Sequence, residues 1–360
     1  MEPLKEMFNK KFYLHFAAEF AKADKNFNSD KFIKEVIENF EALSLNERMR
    51  KTSHTLKKHL PQDYKKALAV MFKVIPNTPR GYTNLVFPDF VGLYGHDAID
   101  TSLNALKHFT TFGSSEFAIR KFLKRDFNKT IKVMQLWAKD KNAHVRRLAS
   151  EGSRPRLPWS FKLDEVIKNP KSTQSILETL KADEEFYVRK SVANHLNDHS
   201  KDNTDFMLQI LKGWDKSNPH TAWIVKHASR SLIKKGNANS LALFDFEKDP
   251  KVKIKNFKIL KPKIKLGQNL EFSFDLLSEK TKTQKLVVDY IIHYQKKGKE
   301  LSAKVFKLKE PELKAKESIH ISKKQMIKDF STRKHFAGEH FLEIQVNGKV
   351  LNKLKFNLTV

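Results

Sequence analysis

Residues 140–152 read DKNAHVRRLASEG, and residues 183–198 repeat the same pattern as DEEFYVRKSVANHLND. Each segment begins with an acidic turn, continues with apolar and basic residues at helical spacing, and ends with a carboxylate. A weaker third copy, HTAWIVKHASRSLIKKG, occupies residues 220–236. The three copies align at spacings of 43 and 36 residues, within the range of paired-helix repeats. The pattern therefore predicts a repetitive helical architecture.

The segments before these copies have the same helical character. Residues 29–61 carry apolar residues at helical spacing and end at a proline, and residues 98–108 predict a further helix. A turn at Gly113 precedes another helix, which Ser114 or Ser115 could cap. We expect residues 1–246 to form an array of antiparallel helix pairs of the HEAT-like kind. Such pairs build a core by stacking and leave one face open.

The pattern changes after this region. From residue 251 onward, seven runs of alternating polar and apolar residues replace the helical period. Asn347-Gly348 separates two of these runs and is the dipeptide most favoured in a two-residue hairpin loop. The sequence thus predicts an all-β immunoglobulin-like sandwich over residues 251–360, joined to the all-α region by a linker at Asp249-Pro250.

Composition excludes several classes of site. The chain has 360 residues and no cysteine, which rules out disulfides, thiolate metal sites and cysteine nucleophiles. Its fourteen histidines show no metal-ligand spacing, so we expect no metal. No segment approaches the ~20 apolar residues of a membrane span. The acidic start at Glu2 does not match a secretory signal, and we expect a cytoplasmic protein without membrane partners.

The charge points to a polyanionic partner. The formal net charge is +28, and from Asp249 onward Lys and Arg outnumber Asp and Glu by 26 to 12. A lysine-rich genome would explain part of this excess, but the combination with helical repeats favours nucleic acid. On the first repeat, Arg146, Arg147 and Glu151 share the surface opposite the packed side. A carboxylate on a basic face suggests negative charge held inside a polyanion-binding surface.

Several long motifs resemble one protein family. They are MEPLKEMFNKKF at 1–12, SEFAIRKFL at 115–123, HVRRLASEGSRPRLPW at 144–159, YVRKSVANHLNDHSKD at 187–202 and WIVKHASRSL at 223–232. They resemble the bacterial DNA alkylation-repair glycosylases of the AlkC type, in the HEAT-like superfamily that also contains AlkD. The resemblance covers roughly residues 1–245. The basic C-terminal region looks like the immunoglobulin-like domain that some members carry.

The resemblance implies a monofunctional DNA glycosylase that hydrolyses the N-glycosidic bond of cationic alkylated bases, notably 3-methyladenine and 3-methylcytosine, in double-stranded DNA. It implies no metal, no organic cofactor and no conventional base flipping. We expect a monomer, associated with the nucleoid through DNA, whose basic sandwich clamps the duplex. The alternative is a non-catalytic HEAT-like scaffold that binds damaged or branched nucleic acid. The order of preference among lesions stays open.

The resemblance also assigns site residues. Glu151 would stabilise an oxocarbenium-like transition state, Glu116 and Asp198 would share its field or hold water, and Trp159 would stack on the lesion or sugar. A base alkylated at N3 is already cationic and leaves without a general acid, so fixed negative charge and an aromatic face suit this chemistry. Which carboxylate orients the water stays open.

Each of these residues also has an ordinary structural interpretation. Glu116 could be a carboxylate favoured by a helix N-terminus, and Asp198 could cap a turn or helix. Trp159 could anchor a loop in the core, and Glu151 could form a plain salt bridge.

The basic residues that we expect to contact DNA lie on the repeated helices and beside the proposed site. Contacts of this kind to phosphates fix the position of a protein on DNA without recognising the base sequence. Any one of these side chains could instead be a solvated surface residue. They are Arg147, Arg154, Arg156, Arg189, Lys190, Lys226, His227 and Arg230.

Overall fold

The computed structural model describes residues 3–330 and 333–360, so the first two residues of the N-terminal motif lie outside it. The described chain is helical up to Ala242 and forms strands from Val252 onward, as predicted. Its contacts divide it into one compact unit that ends at Ala228 and a second unit, Ser229–Val360.

The α-helices in the described residues are short, and most have 9 to 16 residues. They are α1 (Lys10–Ala23), α2 (Ser29–Ile37), α3 (Leu45–His59), α4 (Tyr64–Val74), α5 (Val86–Tyr94), α6 (Ile99–Phe109), α7 (Glu116–Arg125), α8 (Phe127–Trp137), α9 (Ala143–Gly152), α10 (Asp164–Lys168), α11 (Gln174–Leu180), α12 (Phe186–His199), α13 (Thr204–Gly213), α14 (Pro219–Lys234) and α15 (Ala238–Ala242). Short 3-10 helices cover Leu4–Met7, Phe40–Ala42, Ile75–Asn77, Tyr82–Leu85 and Pro170–Thr173.

Side chains at helix N-termini explain where several of these helices begin. Ser44 and Glu47 form a reciprocal capping box at α3. Ser115 occupies the N-cap position of α7, but its hydroxyl donates to the Leu106 carbonyl oxygen at 2.8 Å. The cap bond comes instead from Ser114, whose hydroxyl oxygen accepts from the Glu116 amide at 3.4 Å.

The repeated motif at the centre of the helical unit packs through small residues. Helices α7, α9 and α12 contact one another in succession. Val145, Leu148 and Ala149 of α9 are buried, as their spacing predicts. A Cβ added at Gly152 would lie 2.5 Å from Ile119 Cγ2, so α9 approaches α7 more closely than any larger residue would permit. This packing fixes the distance between the polar faces of the three helices.

The second unit contains two main sheets and a short ribbon. Its strands are β1 (Val252–Ile259), β2 (Lys263–Lys265), β3 (Asn269–Ser278), β4 (Gln284–Lys285), β5 (Val288–Gln295), β6 (Leu301–Lys309), β7 (Glu312–Leu313), β8 (Ser318–Met326), β9 (Gly338–Val346) and β10 (Lys349–Thr359). Strand order is β1-β3-β8 in one sheet, β2-β10-β9-β5-β6 in the other and β4-β7 in the ribbon. All pairs are antiparallel except β10 with β2.

The two sheets share one apolar core, which includes Phe272, Tyr290 and Leu342. The predicted hairpin joins β9 to β10, with Asn347 at φ 46° and Gly348 at φ 82°. Both positive φ values suit Asn-Gly in a two-residue loop. The seven predicted runs all form strands, and the sandwich gains three further short strands that the sequence did not reveal.

Candidate active site

The first repeat helix, α9, presents two of the proposed residues on one side. Asn142 caps it by accepting from the His144 amide at 2.9 Å. Because Val145 and Leu148 face the core, Arg147 and Glu151 lie together, one helical turn apart. The sequence placed Glu151 on an open surface, whereas only 6% of it is exposed. Packing of α12 against α9 accounts for this burial.

The Glu151 carboxylate is held by bonds to both of its oxygens. Oε1 accepts from Arg154 Nη1 at 2.6 Å and lies 3.4 Å from Arg147 Nη2. Oε2 accepts from the Ser191 hydroxyl at 2.6 Å. A plain salt bridge therefore describes only part of its surroundings. The carboxylate has a fixed orientation, imposed from two helices.

Asp198, near the end of α12, binds Arg154 from the other side. Its Oδ2 and Oδ1 accept from Arg154 Nε and Nη2 at 2.8 and 3.2 Å. Burial raises the pKa of Asp198 against the opposing effect of Arg154. Burial alone would lower the pKa of Arg154, but the bonds to Asp198 and Glu151 outweigh it and raise that pKa. The Asp198 side chain thus binds the Arg154 guanidinium and does not act as a helix cap.

Glu116 begins α7 and pairs with the arginine of α9. Its Oε2 accepts from Arg147 Nη1 and from the Ser114 hydroxyl, the latter at 2.6 Å. Arg147 also lies over the ring of Tyr187, 4.9 Å from its centroid. The helix-terminal interpretation of Glu116 is compatible with its position, but the carboxylate is also tied to the same arginine as Glu151.

Trp159 lies within the loop that joins α9 to α10. It is 77% exposed and has φ 64°, so it does not anchor the loop in the core. Arg120, fully buried in α7, fixes this loop by donating to the carbonyl oxygens of Gly152, Arg154 and Phe161. Burial, followed by the charge of Arg154, lowers the pKa of Arg120 to about 10.

A cavity of about 460 Å³ brings three of the four proposed residues together. Glu116, Glu151 and Trp159 line it, whereas Asp198 is absent from its walls. The charged residues among the described walls are the two carboxylates. The remaining wall residues are Gly81, Tyr82, Leu85, Gly113, Ser114, Phe117, Leu157 and Pro158. The carboxylates of Glu116 and Glu151 thus line the cavity. Arg147 and Arg154, which orient these carboxylates, are absent from its described walls.

The remaining basic residues fall into different environments. Arg156 is engaged with Asp202 through two bonds, one of them 2.6 Å. Arg189 donates to the carbonyl oxygens of Asp183 and Glu184, and it lies over the ring of Phe186.

Two lysines, Lys190 and Lys226, are exposed. His227 stacks on Trp223 with centroids 4.8 Å apart. Arg230 is half-buried and falls in the second unit.

Sequence reasoning missed Ser191, Arg120 and Tyr187. Ser191 occurs inside a repeat motif, but only the packing of α12 on α9 places its hydroxyl beside Glu151. Arg120 looks like its basic neighbours in the sequence, and its burial depends on the loop that passes over it. In the sequence, the only indication that these three residues belong to the site was their position within the quoted motifs.

In residues 3–330 and 333–360, no helix has the length and apolarity needed to cross a membrane. No group of three or more His, Asp or Glu residues there is arranged to hold a metal ion.

Comparisons with known proteins agree with this architecture. Residues 102–232 match the family model described as DNA alkylation repair enzyme, and residues 253–360 match the C-terminal Ig-like domain of protein YhaZ. The second match confirms the predicted immunoglobulin-like sandwich.

Two full-length relatives resemble the chain. It is 38% identical to the Uncharacterized protein YhaZ of Bacillus subtilis (strain 168), covering 99% of this chain and 100% of that protein. It is 46% identical to the Pseudomonas fluorescens alkylpurine DNA glycosylase AlkC, solved bound to DNA containing an abasic site analog, with a TM-score of 0.96 and 100% of both chains covered. The chain therefore belongs to the family of AlkC-like DNA alkylation repair proteins that carry a YhaZ-type C-terminal Ig-like domain.

Proposed function

We propose that this chain is a monofunctional DNA glycosylase that releases cationic alkylated bases, 3-methyladenine and 3-methylcytosine, from duplex DNA. The observation that carries the proposal is the Glu151 carboxylate, fixed at the wall of a cavity that Glu116 and Trp159 also line. Family membership supports it, since the AlkC relative is an alkylpurine DNA glycosylase.

The reaction needs negative charge near the sugar. As the C1′–N bond lengthens, its electron pair moves to the base nitrogen and positive charge develops on the deoxyribose ring. A fixed carboxylate stabilises this charge more than it stabilises the ground state, which is the requirement for catalysis. Water then attacks C1′, and the proton that it loses passes to solvent. We assign charge stabilisation to Glu151 and a supporting field to Glu116.

The same cavity lacks an evident proton donor among its described walls. Besides the two carboxylates, its titratable member is Tyr82. Burial, followed by the charge of Asp89, raises the pKa of Tyr82, and its hydroxyl already donates to Asn46. A base that leaves as a neutral molecule requires no such donor, whereas uracil and hypoxanthine do. The walls therefore favour cationic lesions.

Trp159 and Asp198 receive different roles. The exposed Trp159 ring at the cavity suits stacking on a cationic base or on the sugar. Asp198 does not reach the cavity, and we assign it the positioning of Arg154, which in turn orients Glu151.

Arg147 and Arg154 are engaged by carboxylates, and we assign them the orientation of Glu116 and Glu151. We also propose that the other basic residues bind phosphates, namely Arg156, Arg189, Lys190, Lys226, His227 and Arg230, and that the sandwich contributes further contacts with DNA.

The direct test is an excision assay with the full chain. The protein is incubated with duplex DNA methylated at random and, separately, with duplex DNA containing uracil, and the released bases are identified by mass spectrometry. We expect 3-methyladenine and 3-methylcytosine from the first substrate and no uracil from the second.

The outcomes separate the alternatives. Binding of methylated DNA without any released base would establish the non-catalytic scaffold. Efficient release of uracil would require a general acid and would place the chemistry elsewhere.

A further inference from the structure

A second, larger chamber adjoins the catalytic cavity. Its volume is about 530 Å³, and it shares walls with the cavity at Tyr82, Leu85, Ser114, Phe117 and Trp159. On the far side of Trp159 and Phe117 from the catalytic cavity there is thus a second space, lined largely by aromatic and apolar groups.

The charged walls of the two spaces differ. The described charged walls of the catalytic cavity are carboxylates only, whereas those of the chamber include the basic Arg50 and Lys121 as well as the acidic Asp89 and Glu47. Both oxygens of Asp89 are taken by Arg50, at 2.8 Å each.

Glu47 is likewise engaged at the cap of α3. Both carboxylates of the chamber are thus engaged by other groups. The chamber therefore attracts a cation less strongly than the catalytic cavity does.

Lys121 is the distinctive group in this chamber. It projects from α7 and is half-buried. Burial, followed by the charge of Arg50, lowers its pKa. A partly buried amine gains from a neutral hydrogen-bond acceptor.

The proposed reaction creates such an acceptor. While the base is attached, its glycosidic nitrogen is bonded to C1′ and the base is cationic. When the C1′–N bond breaks, the electron pair stays on that nitrogen and the base becomes neutral. The released base therefore carries one acceptor that the lesion in DNA lacks. Lys121 is placed to donate to it within an aromatic-lined space of suitable size for a purine.

We propose that this chamber binds the excised neutral purine base, with Lys121 as the donor to the newly exposed ring nitrogen. The inference rests on the proposed function, because the base is the product of that reaction. It adds a product site that is separate from Glu116 and Glu151 and that selects against the charge of the substrate base.

The test uses the full chain without DNA. Equilibrium dialysis at about pH 8, where lysine is ordinarily protonated, measures binding of two probes, 3-methyladenine and the permanently cationic 3,9-dimethyladeninium. We expect the neutral base to bind at least about tenfold more tightly than the cation, since the lost donor contact and the unfavourable charge act together. Lys121→Met should weaken binding of 3-methyladenine about tenfold.

A matched control is Lys132→Met, because Lys132 is exposed on α8 and does not line the chamber. This variant should bind the base as the original chain does. Equal or tighter binding of the cation, or unchanged binding in a folded Lys121→Met variant, would overturn the proposal. If Lys121→Met does not fold, the relative affinities of the unmodified chain for the two probes still test the proposal.

The dialysis requires no excision, so its failure is distinguishable from failure of the proposed function. Release of bases without base binding would remove the product site alone. Base binding without any release would remove the glycosylase proposal and leave a purine-binding chamber.

Discussion

Arg154 Nη1 donates a 2.6 Å hydrogen bond to Glu151 Oε1, and its other guanidinium nitrogens are held by Asp198. Breaking a buried arrangement of this kind by removing one partner is costly, because it leaves an uncompensated charge. The guanidinium thus fixes the carboxylate that faces the cavity. The proposed role of Glu151 therefore depends on the contacts that run from Asp198 through Arg154 to Glu151.

Asp198 should act on the rate through Arg154. We predict that Asp198→Asn lowers excision about tenfold, and that adding it to Arg154→Met changes the rate little further, because the two residues share one contact. The measurement is the single-turnover excision rate of both single variants and of the double variant, compared as a double-mutant cycle. A multiplicative loss in the double variant would mean that Asp198 acts directly on DNA or water.

Replacing Trp159 should lower activity while leaving stability nearly unchanged. Its positive φ is unfavourable for a residue with a side chain, and its exposed ring contributes little to the core. Trp159→Gly should therefore lower excision about tenfold or more while the free energy of unfolding stays within about 1 kcal/mol. Trp159→Phe should retain most activity. Unchanged excision by the glycine variant would remove stacking from the mechanism.

The repeats and the sandwich were predictable because they rest on local periodicity. Apolar spacing located α9 and α12, and the Asn347-Gly348 dipeptide located the β9–β10 hairpin. Strands β2, β4 and β7 have only two or three residues, too few for a period to be visible.

The site was less predictable, since its contacts join distant parts of the chain. The Ser191 hydroxyl reaches Glu151 across 40 residues of sequence. Arg120 reaches the loop carbonyls from another helix. Motif resemblance made Glu151 a candidate. The division between carboxylates that line the cavity and Asp198, which does not, required the packed helices.

The sandwich should contribute to the salt dependence of DNA binding. Lys253, Lys255 and Lys258 are exposed on β1. Replacing all three by glutamine should lower the slope of log affinity against log salt by about 1 to 3, since each phosphate contact contributes ~0.9. The matched triple arginine variant keeps the charge and should keep the slope. Identical slopes for both variants would exclude β1 from the DNA interface.

The helical unit should lose stability as the pH falls below about 6.5. Burial lowers the pKa of His199 to about 4 and that of His195 well below its usual value. Because the unfolded chain binds protons at higher pH than the folded chain, stability contributed by neutral histidine is complete above pH 6.5 and declines toward pH 4.

For His199 alone, the expected loss near pH 5 is about 2 kcal/mol. His199→Phe should reduce this loss, whereas His15→Gln, at an exposed position, should not. Urea unfolding followed by tryptophan fluorescence reports on the helical unit, because all four tryptophans precede residue 228. An unaltered pH dependence in His199→Phe would contradict the assignment.

We propose above that the negative charge of Glu151 stabilises the transition state. The most direct measurement is single-turnover release of 3-methyladenine by Glu151→Gln, compared with Glu165→Gln, which alters an exposed carboxylate on α10. We predict that Glu151→Gln lowers the rate by about 100-fold or more, as losing one key electrostatic contact does, with little change in DNA affinity. Glu165→Gln should match the original chain. Excision at the original rate by folded Glu151→Gln would contradict the account.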